Sequence, residues 1–221
     1  MIDIGAGTGA TVRELFPKMH PPQDWTLVDT DAGLLKVAQR ELSNINGLRV
    51  ATHCADLTVA PLWSEPPHIV TASALFDLTS AAFVDRLAAA LARDRVTFLA
   101  ALTYDGRLEL SPTHPFDDAM IDAFNRHQRQ EKSFGRALGP DACDVLATAL
   151  TRVGATVTQD ESPWRLAGGK DMPLMQAMLD GWAVAAKEIM PDRVSEIDAW
   201  RQARRTLDSL FVGHRDHLAT F

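Results

Sequence analysis

The chain opens with Met1-Ile2-Asp3-Ile4, a short apolar run broken by one carboxylate, and passes straight into Gly5-Ala6-Gly7-Thr8-Gly9-Ala10. Glycines at alternate positions let a backbone turn tightly and lie close to a ligand, because no Cβ stands in the way. Thr11-Val12-Arg13-Glu14 then has the spacing of a capping box, which predicts a helix with Val12, Leu15 and Phe16 on one face. A strand, a glycine turn and a helix N-terminus in that order form a ligand platform and point to an α/β architecture. Gly5, Gly7 and Ala10 by themselves also satisfy the pattern of a nicotinamide or flavin dinucleotide site, and an ordinary tight turn needs no ligand at all.

Downstream, strands and helices alternate. Gln23 to Asp29 reads as a buried strand ending in an acid. That acid falls about 20 residues past the glycine turn, where a carboxylate can accept hydrogen bonds from both hydroxyls of a ribose. Leu34, Leu35, Ala38 and Leu42 mark the sheet-facing side of the next helix. Leu48 to His53 reads as a third strand after the Asn46-Gly47 turn, and His68 to Ser73 as a short central strand after Pro66-Pro67. Ser80 opens a helix with Phe83, Leu87 and Leu91 inward, and Val96 to Leu102 is a fifth strand, apolar enough to be covered on both faces. Five strand-to-helix steps in a row predict a parallel sheet wound by right-handed crossovers.

Beyond Tyr104 the pattern changes. Ser111 to Pro115 reads as a rigid linker, Asp117 to Arg129 as a helix, Gln130 to Gly139 as an irregular polar loop, and Pro140 as the start of a helix stopped by Gly154. A sixth strand is expected over Ala155 to Gln159, helices over Pro173 to Met190 and Asp192 to Leu210, and a last strand over Leu210 to Ala219. The stripe of Met175, Met178, Leu179 and Trp182 reads as core, and His214 and His217 as turn residues.

At 221 residues the chain suits one domain over 1–221, with cap elements at about 103–140 and 160–210. A net charge of −7 argues against a surface that tracks nucleic-acid phosphates, and Arg201, Arg204 and Arg205 read as a solvated helix face. Cys54 and Cys143 have no metal-ligand spacing and read as buried free thiols; no metal is expected. With neither a signal-like start nor a membrane-length apolar run, the expectation is a cytoplasmic protein that meets no membrane.

Asp3-x-Gly5-x-Gly7-x-Gly9, followed by Asp29 and Thr30 and then by Asp56 and Leu57, resembles the class I, Rossmann-like S-adenosylmethionine-dependent methyltransferases. The resemblance covers nearly the whole chain. It implies an α/β, doubly wound, seven-stranded, mostly parallel sheet with a late antiparallel strand and helical cap insertions. By it, Asp3, Gly5, Ala6, Gly7 and Ser73 would surround the methionine part of the cofactor, Asp29 would hold the ribose, and Thr30, Asp56 and Leu57 the adenine. The alternative reading of Asp56 is a helix or turn cap. The first strand is a stub, so either the chain begins earlier or an N-terminal helix that covers the active site in similar methyltransferases is missing.

The activity so implied is in-line transfer of a methyl group from S-adenosylmethionine to an oxygen or nitrogen of a small molecule, leaving S-adenosylhomocysteine. A sulfonium is already electrophilic, so the protein needs only to align the acceptor, exclude water and remove a proton where required. His127, on the expected cap helix, is the candidate base. Phe76 and Asp77, after the fourth strand, and Lys132, Phe134, Trp164 and Arg165, in the cap, are candidate substrate contacts. The expected state is a monomer or homodimer. Two other readings stand beside this one: a nicotinamide-dependent oxidoreductase, which Tyr104 as the sole tyrosine serves poorly, and a cofactor-binding protein without turnover.

Overall fold

The computed structural model describes all 221 residues. In chain order they form β1 (Ile2–Ile4), α1 (Ala10–Leu15), β2 (Gln23–Asp29), α2 (Ala32–Leu42), β3 (Leu48–Cys54), β4 (Ile69–Ser73), α3 (Ala81–Asp94), β5 (Thr97–Ser111), α4 (Asp117–Gln128), a small hairpin of β6 (Glu131–Lys132) and β7 (Gly135–Arg136), α5 (Ala142–Arg152), β8 (Thr156–Glu161), β9 (Trp164–Ala167), α6 (Met172–Ile189), α7 (Val194–Ala203) and β10 (Ser209–Thr220). The main sheet runs β3-β2-β1-β4-β5-β10-β8. Its first five strands are parallel, and β10 enters antiparallel to both β5 and β8. This is the mostly parallel sheet with a late antiparallel strand that the sequence implies.

An eighth strand joins it. Because β10 is 12 residues long, its second half pairs with β8 and its first half with β9. The sequence pattern predicts no strand over 164–167, where β9 lies. The step from β3 to β4 also differs, crossing residues 55–68 with no helix; Pro61, Pro66 and Pro67 deny that segment a continuous helical ladder.

Alternation in the strands sorts the side chains. Ile4, Val28, Val70, Ala72, Phe98 and Ala100 share a core of 22 residues with α3 and α5, while Trp25 and Leu27 pack with α1 and α2. Asp3, between Ile2 and Ile4, therefore points to the α1 side, where it is fully buried.

The cap rests on a long ribbon. β5 does not stop at Leu102 but runs to Ser111, with Leu102 at φ 53° and Gly106 at φ 85°. Between Tyr104 and Leu108 it spends four residues against the two from His214 to Val212. Such bulges increase twist and bend the strand. The bent half of β5–β10 carries α4, α6 and α7 and encloses a core of its own around Trp182, Ile197 and Trp200.

Several local expectations change. The Thr11–Glu14 capping box is not made: α1 begins at Ala10, directly behind Gly9 in the left-handed region, with no side-chain cap. The last long helix ends at Ala203, well short of Leu210, so Leu207 and Leu210 fill the cap core from outside a helix. Arg204 is not a solvated cation but is 3% exposed, bonded to the buried Asp117. Cys143 is buried as expected, but Cys54 ends the edge strand β3 and is exposed. His214 and His217 lie in β10 and are buried, not in a turn.

Candidate active site

Asp3 meets Thr71 because β1 and β4 set the two side by side in register. Thr71 Oγ1 donates to Asp3 Oδ1 at 2.7 Å, and Asp3 Oδ2 is buried with no partner. Burial pushes this carboxyl from 3.8 up to about 7, against the hydrogen bond from Thr71 that favours its ionised form. A buried oxygen left over in this way is suited to a cation arriving at the strand end.

Gly5, Gly7 and Gly9 all have positive φ. Gly9 closes the fold: a Cβ there would lie 2.8 Å from Leu42 Cδ1 and 3.3 Å from Ala38 Cβ. Gly7 faces open space, with nothing within 4 Å of its would-be Cβ. Left-handed strain costs roughly 1–2 kcal/mol at either position, and Gly9→Ala adds a clash with the α2 core. Gly9→Ala is therefore expected to lower stability by about 2–3 kcal/mol in urea denaturation. Gly7→Ala should lose less stability and more ligand affinity; equal stability losses would contradict this division.

The acid at the end of β2 is fixed by main-chain donors. Gly7 N–H donates to Asp29 Oδ2 at 2.8 Å and Asp31 N–H to Asp29 Oδ1 at 2.9 Å, while Asp31 itself caps α2 by accepting from Gly33 and Leu34. Asp29 thus ties the glycine turn to the start of α2 and keeps lone pairs for a diol. Gly5 and Ala6 N–H both donate to Val28 C=O, and Ala6 is buried. Thr30 is exposed beside Cys54, whose Sγ lies 3.4 Å from Thr30 C=O. Asp56 is exposed and accepts from Thr58 N–H at 2.8 Å, closing a turn, and its pKa is lowered chiefly by Thr58; Leu57 is buried beneath it.

Beside this cleft lies a second space. Leu75 Cδ1 sits 3.0 Å from where a Cβ on Gly5 would be, so the segment after β4 lies over the glycine turn. Ala74 and Asp77 from that segment line a cavity of about 160 Å³. Leu102, Tyr104 and Leu108 of β5, Val212 and His214 of β10, Phe124 and Gln128 of α4, and Met178 and Trp182 of α6 complete it. Burial pushes the Asp77 carboxyl up to about 6. Burial also lowers the His214 pKa, and its Nδ1 has no hydrogen-bond partner. Tyr104 Oη donates to Asn125 Oδ1 at 2.7 Å.

The other expected substrate contacts lie elsewhere. Phe76 is 1% exposed and packs edge-on against Phe98 in the main core. Phe134 packs on Phe83, with ring centroids 4.8 Å apart. Trp164 stacks on the His214 ring from outside the cavity, and Arg165 reaches over Phe211. Lys132, on β6, does not line the cavity and touches Asp77 only by its longer-range charge. Ser73 ends β4 near α1, in the groove with Thr11 and Leu15.

His127 does not reach the cavity. Phe124 and Gln128 occupy the cavity side of α4, and His127 is turned about 100° from its neighbour Gln128 by the helical period. Its Nε2 lies 3.2 Å from Glu188 Oε2 of α6, a link between the two helices. Sequence patterning does not single out Tyr104, Phe124, Gln128, Met178, Trp182 and His214 as cavity-lining residues. Phe124/Gln128 and Met178/Trp182 are i,i+4 pairs, a signal shared by every packed helix face, so periodicity alone could not single them out.

A methyltransferase-domain family model matches residues 1–94. No curated protein matches the chain by sequence. Among solved structures, a methyltransferase candidate from Bacillus halodurans is similar over 99% of this chain and 90% of its own, at 13% identity and TM-score 0.56. The YcgJ protein of Bacillus subtilis covers the same shares at 16% identity and TM-score 0.54. A cyclopropane synthase from Mycobacterium tuberculosis covers 99% of this chain and 77% of its own, at 14% identity and TM-score 0.51. At such identities the likeness speaks to fold. The family model spans the glycine turn, Asp29 and Asp56, so residues 1–94 match a methyltransferase domain, and the sheet order is that of a Rossmann-like fold. A methyltransferase domain points to methyl transfer, for which the donor to set against this cleft is S-adenosylmethionine.

The residues fit that cofactor. Asp3 keeps a free buried oxygen for an ammonium, Gly7 leaves its Cβ space empty, and Asp29 is held rigidly by two N–H donors.

Proposed function

We propose that the acceptor binds in the cavity under α4 and α6 and receives the methyl group on an oxygen or nitrogen. The carrying observation is that one short segment serves both spaces: Leu75 packs on Gly5, while Ala74 and Asp77 line the cavity. When bound, S-adenosylmethionine supplies an electrophilic methyl. Asp3, Gly5, Ala6, Gly7 and Ser73 hold its methionine part, Asp29 its ribose, and Thr30, Asp56 and Leu57 its adenine. The apolar walls exclude water, and the cap core holds the acceptor in place.

Residues 1–221 act as one domain in this reading, with the cap elements mounted on the extended β5–β10 ribbon. The protein works as a monomer or homodimer in the cytoplasm and without a nucleic-acid partner, a reading that its net charge of −7 supports. No helix is long and apolar enough to cross a membrane.

Isothermal titration with S-adenosylmethionine, S-adenosylhomocysteine and NAD tests the donor site. The first two are expected to bind and NAD not to. Asp29→Ala should weaken binding about 100-fold, the consequence of losing two charge-assisted hydrogen bonds to the ribose. Preferential NAD binding would replace this reading with the oxidoreductase one.

A further inference from the structure

The cavity also constrains what kind of molecule enters it. Asp77 carries its only acid, and none of its lining residues is a lysine or arginine. No cation lies within ion-pair distance of Asp77, and no side chain hydrogen-bonds to its carboxylate. Asp77 is half-buried there, and a carboxylate partly withdrawn from water without an ion pair is stabilised by a positive group that meets it. Tyr104, Phe124 and Trp182 line the same cavity, and aromatic ring faces attract cations; the Phe124 and Trp182 ring centroids are 5.3 Å apart. His214 is 8% exposed, and burial holds it toward the neutral form, so it supplies a polar atom without a competing charge.

Size narrows the choice further. An apolar cavity of about 150 Å³ accommodates benzene, so 160 Å³ holds roughly one ring or a chain of similar bulk. A carboxylate or phosphate acceptor would meet Asp77 with like charge and no cation on the cavity wall, since Lys132 acts on it only from outside the lining.

Resting on the methyltransferase reading, we propose that the substrate is a small amine with about one ring's worth of apolar bulk, its ammonium held by Asp77 and its apolar part enclosed by Phe124 and Trp182. Asp77 is then the specificity-determining residue of the pocket. The amine enters as the cation with its apolar portion against α4 and α6; where its nitrogen is the acceptor, it passes a proton to the Asp77 carboxylate, and the freed lone pair then attacks the methyl carbon as the sulfur leaves as a neutral thioether.

Three probes of equal size separate charge from shape: benzylamine, benzyl alcohol and benzoate, each titrated calorimetrically into the full chain with saturating S-adenosylhomocysteine. Benzylamine is expected to bind tightest, benzyl alcohol more weakly and benzoate least. Asp77→Asn should weaken benzylamine at least tenfold and leave benzyl alcohol within about twofold. Asp77→Glu should recover part of the loss, because it restores the charge. Titration of S-adenosylhomocysteine into each variant reports folding and the donor site separately. Benzoate binding as well as benzylamine would overturn the proposal. So would an Asp77→Asn variant that keeps full amine affinity, or an absence of amine binding in protein that binds S-adenosylhomocysteine. Failure of S-adenosylhomocysteine to bind while the amine preference persists would instead overturn the donor reading and leave the pocket assignment standing.

Discussion

Asp3→Asn is expected to make the ligand-free protein more stable at pH 8 while removing most of its affinity for S-adenosylmethionine. In the folded chain burial holds the Asp3 carboxyl at about 7, against an ordinary 3.8. Between those values the folded state keeps a proton that the unfolded state has released. Stability therefore falls as pH rises from about 4 to about 7 and levels off above it. A shift of this size corresponds to roughly 2–4 kcal/mol. Asparagine can still accept from Thr71 and carries no such penalty. The two proteins should be about equally stable near pH 4 and diverge toward pH 8, with the variant ahead in urea denaturation. A difference independent of pH would sink the idea.

Binding should move the opposite way. The cationic end of the cofactor stabilises the ionised carboxylate, so wild-type affinity is expected to rise with pH up to about 7. The variant lacks that charge and should bind about 10- to 100-fold more weakly, the worth of one charged hydrogen bond. A strained or desolvated group that costs stability and serves ligand binding is a familiar trade.

The second large effect lies in the cap. Asp117→Ala is expected to cost about 3–5 kcal/mol, because it leaves a guanidinium buried without its partner. Asp117 and Arg204 are 7% and 3% exposed. Arg204 donates to both carboxylate oxygens and to Pro112 C=O, and Trp200 Nε1 donates to Asp117 Oδ1 at 2.8 Å. Asp117 Oδ2 also accepts from His114 N–H at 2.7 Å. This one carboxylate joins the start of α4 to the end of α7 and to the linker after β5. Urea denaturation measures the loss; a cost under about 1 kcal/mol would show that the pair is not a structural tie. Asp117→Leu with Arg204→Met should recover part of it, since a hydrophobic replacement removes both charges at once.

The outcome for S-adenosylhomocysteine discriminates between the two cores. The cofactor cleft rests on the α1–α2 core and on the face shared with α3 and α5, neither of which includes Asp117. Its affinity should change less than amine binding, whose pocket is built from α4 and α6.

Much of the cofactor half was legible in the sequence. Strand alternation around Asp3, the three glycines, and an acid ending the next strand are local patterns, and each decides a local matter: which face a side chain takes, where the chain turns, where a carboxylate stands. The same period logic located α4 and α6 almost to the residue. It did not say what their faces would meet. Phe76, Phe134 and Trp164 read equally well as walls or as core, and their neighbours Phe98, Phe83 and His214 decided the matter.

The cap is where local reading failed most. Arg204 sits in a run of arginines that looks solvated, and only the meeting of α4 with the end of α7 buries it. His127 was the natural base by residue type, yet Glu188 on α6 occupies it. What the sequence by itself determined was a Rossmann-like sheet with a cofactor turn at its first strand, because backbone periodicity and glycine conformation act over a few residues. What only the tertiary structure decided was the cavity proposed for the acceptor. Its walls come from the segment after β4 and from β5, α4, α6 and β10, and the bulges at Leu102 and Gly106 bend the ribbon that brings them together. Such convergence depends on contacts between residues as far apart as Asp77 and His214, which no local pattern records.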